Sequence, residues 1–280
     1  MGQIVQAAKI THVPSIWMSH TMKEFHGIRD KAIAGLRELG QRARERGVET
    51  FVIFDTHWIV NQGFHLNAKA RHEGTFTSHE LPHMLYDLAY SYDGDPELGQ
   101  LIVDNIKKAG MRGIAHDNEN MGVEYGTLLP MYFINEGAFA RVLPIAANQF
   151  ASIEEGQQMG EAIAAAIEES GRKAAVYASG SLSHAFADNA VSHEYLNKVN
   201  GEFNRQMDLR VMELWEGGEW GDFLEMLPDY ASKCVGECGM IDTAMLFGAL
   251  GWTGYGGSAE VLTPYFGSSG TGQTVVDFAV

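Results

Sequence analysis

The stretch Thr50-Phe51-Val52-Ile53-Phe54 is a continuous apolar run rich in β-forming residues, and it decides the class of fold. A strand that is apolar on both faces is typical of a parallel sheet covered by helices on both sides. Arg141–Ala146 and Ala174–Ala178 have the same character, and Ile4–Ile10 is a further short apolar run. These runs predict a sheet whose central strands are buried.

Helical patterns separate these strands. From about Lys23 to Gly47 apolar residues recur at helical spacing, and Gly47 is well placed to end the helix. Asp95-Pro96 opens a helix that runs to about Ala109, because proline is favoured in a first turn. Two further helices are predicted: one around Met159, Ile163 and Ile167, and a long one whose apolar face consists of Val199, Phe203, Met207, Val211 and Leu214. We expect strands and loops from Asn61 to Asp93, and closing strands at about Ala259–Tyr265 and Thr274–Val280.

The alternation of strands and helices predicts the α/β class. We expect three layers, α/β/α, around a largely buried mixed sheet. No linker rich in proline and serine interrupts the pattern, so we expect a single catalytic domain over residues 1–280.

Composition excludes several classes of function. The 280 residues include 20 basic and 36 acidic side chains, which gives a formal charge of −16. Such a chain repels phosphate backbones and anionic lipids, so we expect neither a nucleic-acid nor a membrane partner. No apolar run reaches the length of a membrane helix, and the first residues do not resemble a secretory signal. Only Cys234 and Cys238 are cysteines, which favours a cytoplasmic location.

Three histidines follow predicted strands within six residues: His12, His57 and His184. In α/β sheets functional groups gather at the carboxyl ends of the strands, so these three side chains are expected to form one site. Imidazoles bind iron, zinc, copper or nickel, with a carboxylate as the usual third ligand. Asp55, Asp117, Glu124 and Glu237 are all open candidates for that carboxylate.

An ordered set of motifs resembles the class III extradiol ring-cleavage dioxygenases, the superfamily of the protocatechuate 4,5-dioxygenase β-subunit. The similarity is strongest to the branch that acts on 3,4-dihydroxyphenylacetate (homoprotocatechuate). It spans nearly the whole chain. The segments that carry it are Ala7–Ser15, Phe54–Trp58, Glu124–Thr127, Ala178–His184 and Gly236-Glu237, with further stretches at Glu80–His83, Asp95–Ile102 and Ser268–Gln273.

The resemblance implies an iron(II) site whose ligands are His12, His57 and Glu237, although manganese(II) would fit the same set. It implies that His184 is the acid/base residue beside the substrate. Many members of the superfamily have a histidine where this chain has Tyr125. Tyr125 is therefore expected to donate a hydrogen bond to substrate or oxygen.

The implied reaction is extradiol cleavage of a catechol with O2 in aromatic catabolism. The expected substrate is 3,4-dihydroxyphenylacetate and the expected product is 5-carboxymethyl-2-hydroxymuconate semialdehyde. Three alternatives stay open: a 2-aminophenol ring-cleavage enzyme, a zinc hydrolase that uses the same His/His/Glu set, and a non-catalytic binding protein on this fold. Enzymes of this size commonly form symmetric assemblies, so we expect a homo-oligomer.

Some neighbouring residues have two readings. Asp55 either orients an imidazole or caps the turn that follows its strand. His65, His83 and His116 either support the pocket or are ordinary hydrogen-bonded histidines, and Trp58 and Phe64 are candidates to face an aromatic substrate. Gly270-Thr271-Gly272 reads as a turn between the last strands, because the rest of a phosphate-binding loop is missing.

Overall fold

The computed structural model describes all 280 residues and contains a mixed eight-stranded sheet. The strand order is β6-β3-β7-β2-β8-β1-β10-β9, and β4 and β5 form a separate hairpin. The pairs β7-β2, β2-β8 and β8-β1 are parallel, whereas β10 is antiparallel to both of its neighbours. The strands are β1 Gln3–Ile10, β2 Thr50–Asp55, β3 Phe64–Asn67, β4 Arg71–Phe76, β5 Leu88–Asp93, β6 Gly113–His116, β7 Arg141–Ala146, β8 Lys173–Ser179, β9 Ala259–Ser268 and β10 Thr271–Phe278.

Eight α-helices accompany the sheet, and none of them has the length and hydropathy needed to cross a bilayer. They are α1 Ser15–Thr21, α2 Asp30–Arg46, α3 Pro96–Lys108, α4 Tyr125–Ile134, α5 Ile153–Ser170, α6 Glu202–Gly217, α7 Trp220–Lys233 and α8 Ile241–Ala249. Four short 3₁₀ helices lie at Lys23–Phe25, Asn189–Tyr195, Glu237–Met240 and Trp252–Gly254.

The two faces of the sheet pack into two separate cores, as the run at residues 50–54 predicts. Val52 and Phe54 belong to the core formed with α3, α5, α6, α7 and α8. Phe51 and Ile53 point the other way, into the core formed with α1, α2 and α4. All four side chains are fully buried. The predicted three-layer α/β/α arrangement is therefore confirmed.

Two helix predictions are wrong in part. The helix predicted from about Lys23 begins only at Asp30, because Gly27, with a φ of 88°, interrupts the helical conformation before it. Gly47, with a φ of 72°, ends the helix as predicted. The long helix begins at Glu202, so Val199 lies outside it, and Phe203 is 57% exposed instead of facing the core. The closing strands are confirmed with a turn at Ser269-Gly270 between them.

The order of the central strands positions the site. Because β2, β8 and β1 are adjacent and parallel, their carboxyl ends meet at one edge of the sheet. The antiparallel strand β10 begins at this same edge. The loops after these strands carry the three histidines singled out above.

Candidate metal centre

His12, His57 and Glu237 come together although they are far apart in the chain. Their ligand atoms all lie within 4.8 Å of one another. Oε1 of Glu237 is 3.4 Å from Nε2 of His12 and 3.7 Å from Nε2 of His57. The other carboxylate oxygen, Oε2, is 3.8 Å from Nε2 of His184. Three imidazoles thus surround one buried carboxylate.

Hydrogen bonding fixes the tautomer of His12. The hydroxyl of Ser179 donates to the carbonyl of Gly126 at 2.5 Å, so its oxygen accepts from Nδ1–H of His12 at 3.0 Å. Nδ1 of His12 is therefore engaged in this hydrogen bond, and Nε2 is the ring nitrogen that faces Glu237. An imidazole oriented in this way through its other nitrogen is ready to bind a metal ion.

Glu237 is held as an ionised carboxylate. Oε1 accepts from the hydroxyl of Thr56 at 2.5 Å, and Oε2 accepts from the backbone N–H of Ser181 at 2.5 Å. Burial alone would raise its pKa, but His184 and His12 hold the pKa of Glu237 well below its usual range. The charge that a divalent cation needs is therefore present.

The backbone around Glu237 is strained. Val235, Cys238 and Met240 have φ angles of 51°, 51° and 59°, in the left-handed region that non-glycine residues avoid. Gly239 between them has a φ of 64°, which glycine adopts without strain. Strain of this kind persists only where the surroundings hold it, and it clusters at functional sites.

His57 is neutral and held by the turn that carries it. Burial and the nearby His12 lower the pKa of His57 to about 3. Oδ1 of Asp55 accepts from the backbone N–H groups of His57 (2.8 Å) and Trp58 (3.2 Å), and Oδ2 accepts from the Thr127 hydroxyl (2.7 Å). Asp55 thus caps the turn after β2, which settles its two readings in favour of the cap.

Tyr125 lies against His57 at the first position of α4. Its hydroxyl is 2.8 Å from Nε2 of His57 and donates to Glu80 at 3.3 Å. Burial, reinforced by the charge of Glu80, raises the pKa of Tyr125 far above its usual range, so the phenol stays protonated. The next residue, Gly126, has no room for a side chain, because a Cβ there would lie 2.1 Å from Oδ1 of Asp55.

The remaining candidates lie outside the three-residue group. Nδ1 of His65 and Nε2 of His116 are 2.8 Å apart beside Trp58, so this pair supports the loop after His57. Phe64 is 3% exposed and packs in the core formed with α3, α5, α6, α7 and α8, outside the three-residue group. Asp117 and Glu124 are not in the group, and His83 is exposed.

Sequence reasoning missed the residues that orient the ligands. Ser179 sets the His12 tautomer, and Thr56 and Ser181 fix the Glu237 carboxylate. Their only signal in the sequence is their nearness to the histidines at the strand ends. A small polar residue at the end of a buried strand is a sign of such a role.

The donor set fits a divalent first-row metal. Two imidazoles and one carboxylate that approach from one side are the ligands of non-haem iron sites with open positions. The inward-facing Nε2 of His12, the neutral His57 and the ionised Glu237 suit the coordination of such an ion.

Residues 6–279 match the family described as the catalytic LigB subunit of aromatic ring-opening dioxygenase. The chain belongs to this family. It is 45% identical over 269 residues to a 3,4-dihydroxyphenylacetate 2,3-dioxygenase of Escherichia coli, which covers 95% of this chain and 97% of the relative. It is 27% identical over 216 residues to a 2-aminophenol 1,6-dioxygenase beta subunit of a Pseudomonas species, covering 72% and 70% of the two chains.

Among solved structures, an uncharacterized protein of Escherichia coli K12 superimposes with a TM-score of 0.66. The match covers 98% of this chain and 99% of that one at 15% sequence identity, and it supports the fold alone. Family membership confirms the resemblance found in the motifs. The chain is an oxidoreductase of the extradiol dioxygenase class with a metal cofactor, and the hydrolase and binding-protein alternatives find no support.

Proposed function

We propose that this enzyme cleaves the ring of 3,4-dihydroxyphenylacetate beside its diol, with O2 as co-substrate, to 5-carboxymethyl-2-hydroxymuconate semialdehyde. The similarity to the Escherichia coli enzyme over nearly the whole chain supports this substrate. The observation that carries the proposal is the convergence of His12, His57 and Glu237, with His184 facing the same carboxylate.

His12, His57 and Glu237 are the proposed metal ligands, and iron(II) is the proposed ion, with manganese(II) as the alternative. Such an ion, when bound, supplies a redox-active Lewis acid at which a diol and O2 are held together. The chain contributes the orientation of the three ligands: Ser179 turns Nε2 of His12 inward, and Thr56 and Ser181 fix the carboxylate.

His184 is the proposed acid/base residue. Its ring is partly exposed, and its Nε2 faces the carboxylate side of the ligand cluster. Imidazole can accept a proton near neutral pH and return it later, as the loss of a diol proton and the later protonation of the product require. The backbone N–H of His184 donates to Val235, which ties the loop of the base to the segment of Glu237.

Tyr125 is the proposed hydrogen-bond donor to substrate or oxygen. Its phenol remains protonated because burial raises its pKa, so it can donate but not act as a base at neutral pH. Phe76 and His12 pack around its ring and hold the hydroxyl in place.

A substrate comparison tests the proposal. The protein is loaded with iron(II) without oxygen, mixed with 3,4-dihydroxyphenylacetate or 2-aminophenol, and exposed to air. We expect oxygen uptake and a yellow product with 3,4-dihydroxyphenylacetate. Turnover of 2-aminophenol alone would instead assign the activity of the Pseudomonas relative, and turnover of neither would contradict the proposal.

We also propose a cytoplasmic homo-oligomer. Both cysteines are free, which fits a reducing compartment. Sedimentation at micromolar concentration should give a mass that is a multiple of the 30.8 kDa chain, and a monomer would contradict this part of the proposal.

A further inference from the structure

Asp208, on α6, is a buried carboxylate outside the five groups of the proposed site. Its side chain is fully buried, and the four groups that donate hydrogen bonds to it are all neutral. Burying an ionisable group without an opposite charge is costly, and burial raises the pKa of Asp208 against the opposing effect of its donors. Such a costly arrangement needs a structural reason.

Two of these four hydrogen bonds are donated by Ser183, the residue just before His184. Oδ1 of Asp208 accepts from the backbone N–H of Ser183 at 3.1 Å, and Oδ2 accepts from its hydroxyl at 2.7 Å. The other two donors are the hydroxyls of Tyr230 on α7, at 2.6 Å, and Tyr265 on β9, at 2.5 Å. The carboxylate therefore fastens the loop after β8 to three other elements.

The fastened segment, Leu182–His184, carries one proposed functional residue and supports another. On one side, the N–H of Leu182 donates to Gly272 at the start of β10. On the other side, the N–H of Glu237 donates to Leu182 and the N–H of His184 donates to Val235. The place of this segment thus sets the 3.8 Å separation of His184 Nε2 from Glu237 Oε2.

Gly272 shows how closely Asp208 is enclosed. A Cβ at this glycine would lie 1.9 Å from Oδ2 of Asp208, so β10 can approach the carboxylate only without a side chain there. The glycine-rich stretch at residues 270–272 therefore makes room for Asp208 as well as forming the turn after β9.

We infer that Asp208 is a positioning residue for ring cleavage, which acts through Ser183 to hold the imidazole of His184 in place relative to Glu237. The inference rests on the proposed function, because it takes His184 as the acid/base residue. A carboxylate suits this position because it is an acceptor only, and four donors point at it.

A double-variant experiment tests the inference in the full-length, iron-loaded enzyme. We expect Asp208→Asn, which keeps the shape, to lower kcat for 3,4-dihydroxyphenylacetate about 10- to 100-fold through misplacement of the imidazole. KM and iron content should stay near their normal values. In a His184→Ala background, Asp208→Asn should cause no further loss, because the residue that it positions is gone.

Asp95→Asn is the matched control. Asp95 is also buried and accepts several hydrogen bonds, but it lies at the opposite end of the sheet, bonded to Thr50 and Arg172. We expect it to lower thermal stability without changing kcat. If Asp208→Asn fails to fold, Ser183→Ala removes one of the four bonds and should lower kcat only when His184 is present.

Three kinetic results would overturn the inference. An unchanged kcat in Asp208→Asn would do so, and so would an equal loss in the presence and absence of His184. Normal turnover by His184→Ala alone would refute the proposed base and, with it, the role of Asp208. A crystal structure of Asp208→Asn gives a readout that needs no turnover: we expect a displaced Leu182–His184 segment, and an unmoved one contradicts the inference.

Discussion

The histidines and the glutamate of this site reach it by different structural routes. His12, His57 and His184 follow three adjacent parallel strands, so the buried sheet determines where they emerge. Glu237 lies on an irregular segment after α7, among residues with left-handed φ angles. Its carboxylate accepts hydrogen bonds from Thr56 and Ser181, and its backbone N–H donates to the Leu182 carbonyl. One half of the site is thus a consequence of the fold, whereas the other half is built locally.

The largest effects are expected from removing one ligand of each kind, a histidine that follows a parallel strand and the glutamate on the irregular segment after α7. We expect Glu237→Gln and His57→Ala each to lose the metal and to reduce turnover to background, because both residues coordinate the same ion. Metal analysis after gel filtration measures this. Glu80→Gln, which alters an exposed carboxylate 3.8 Å from His57 but outside the ligand group, should retain the metal; full metal content in Glu237→Gln would refute the ligand assignment.

His184→Ala separates proton transfer from metal binding. We expect the variant to keep its iron and to lose about 10²- to 10⁴-fold in kcat, the range for loss of a general acid/base. Iron content and kcat are measured on the same sample. Normal turnover would show that His184 does not move the proton, and loss of iron would place it in the ligand set.

Ser179, which orients a histidine ligand, and Thr56, which holds the glutamate ligand, should differ in their effect on metal affinity. Ser179→Ala removes the only hydrogen-bond partner found for Nδ1 of His12, so we expect metal affinity to fall about 10- to 100-fold. Thr56→Val should cost less, because the carboxylate keeps its bond from Ser181. Calorimetric titration of the metal-free variants measures both affinities; a larger loss in Thr56→Val would reverse the comparison.

The smallest effect is expected from relieving strain near Glu237. Val235 is 54% exposed and has a φ of 51°, which is unfavourable for a β-branched residue. Val235→Gly should raise the free energy of unfolding by up to about 1 kcal/mol, measured by denaturant titration. Val191→Gly, at an exposed valine without a positive φ, should lower it; a destabilised Val235→Gly would mean that the strain is not stored there.

The difference between the histidines at the strand ends and Glu237 on its irregular segment also explains which parts of the site the sequence could predict. Buried apolar strands have a clear pattern, so the sheet interior and the three histidines at its edge followed from residues alone. The carboxylate did not, because Asp55, Asp117, Glu124 and Glu237 were equivalent by position, and only the family resemblance selected Glu237. Asp208 gives no signal in the sequence, and Ser179 gives only its place at the end of a buried strand, since their roles arise from contacts between distant segments.

The apolar pattern of the sequence does not predict helices α4 and α8, for a related reason. Every residue of α8 is buried, and nearly every residue of α4 is, so neither has the alternation of apolar and polar faces that marks a helix at a surface. α4 matters for function because it begins at Tyr125 and presents Gly126 and Thr127 to Ser179 and Asp55. A helix beside the site can therefore be harder to predict than the strands that carry its histidines.

The most direct test is a crystal structure of the iron-loaded enzyme with anomalous data at the iron edge. We expect one strong anomalous peak per chain, within coordination distance of Nε2 of His12, an imidazole nitrogen of His57 and the carboxylate of Glu237, with His184 beside it but not bound. A peak elsewhere, or one from which Glu237 is remote, would contradict the assignment of His12, His57 and Glu237 as ligands of one metal ion.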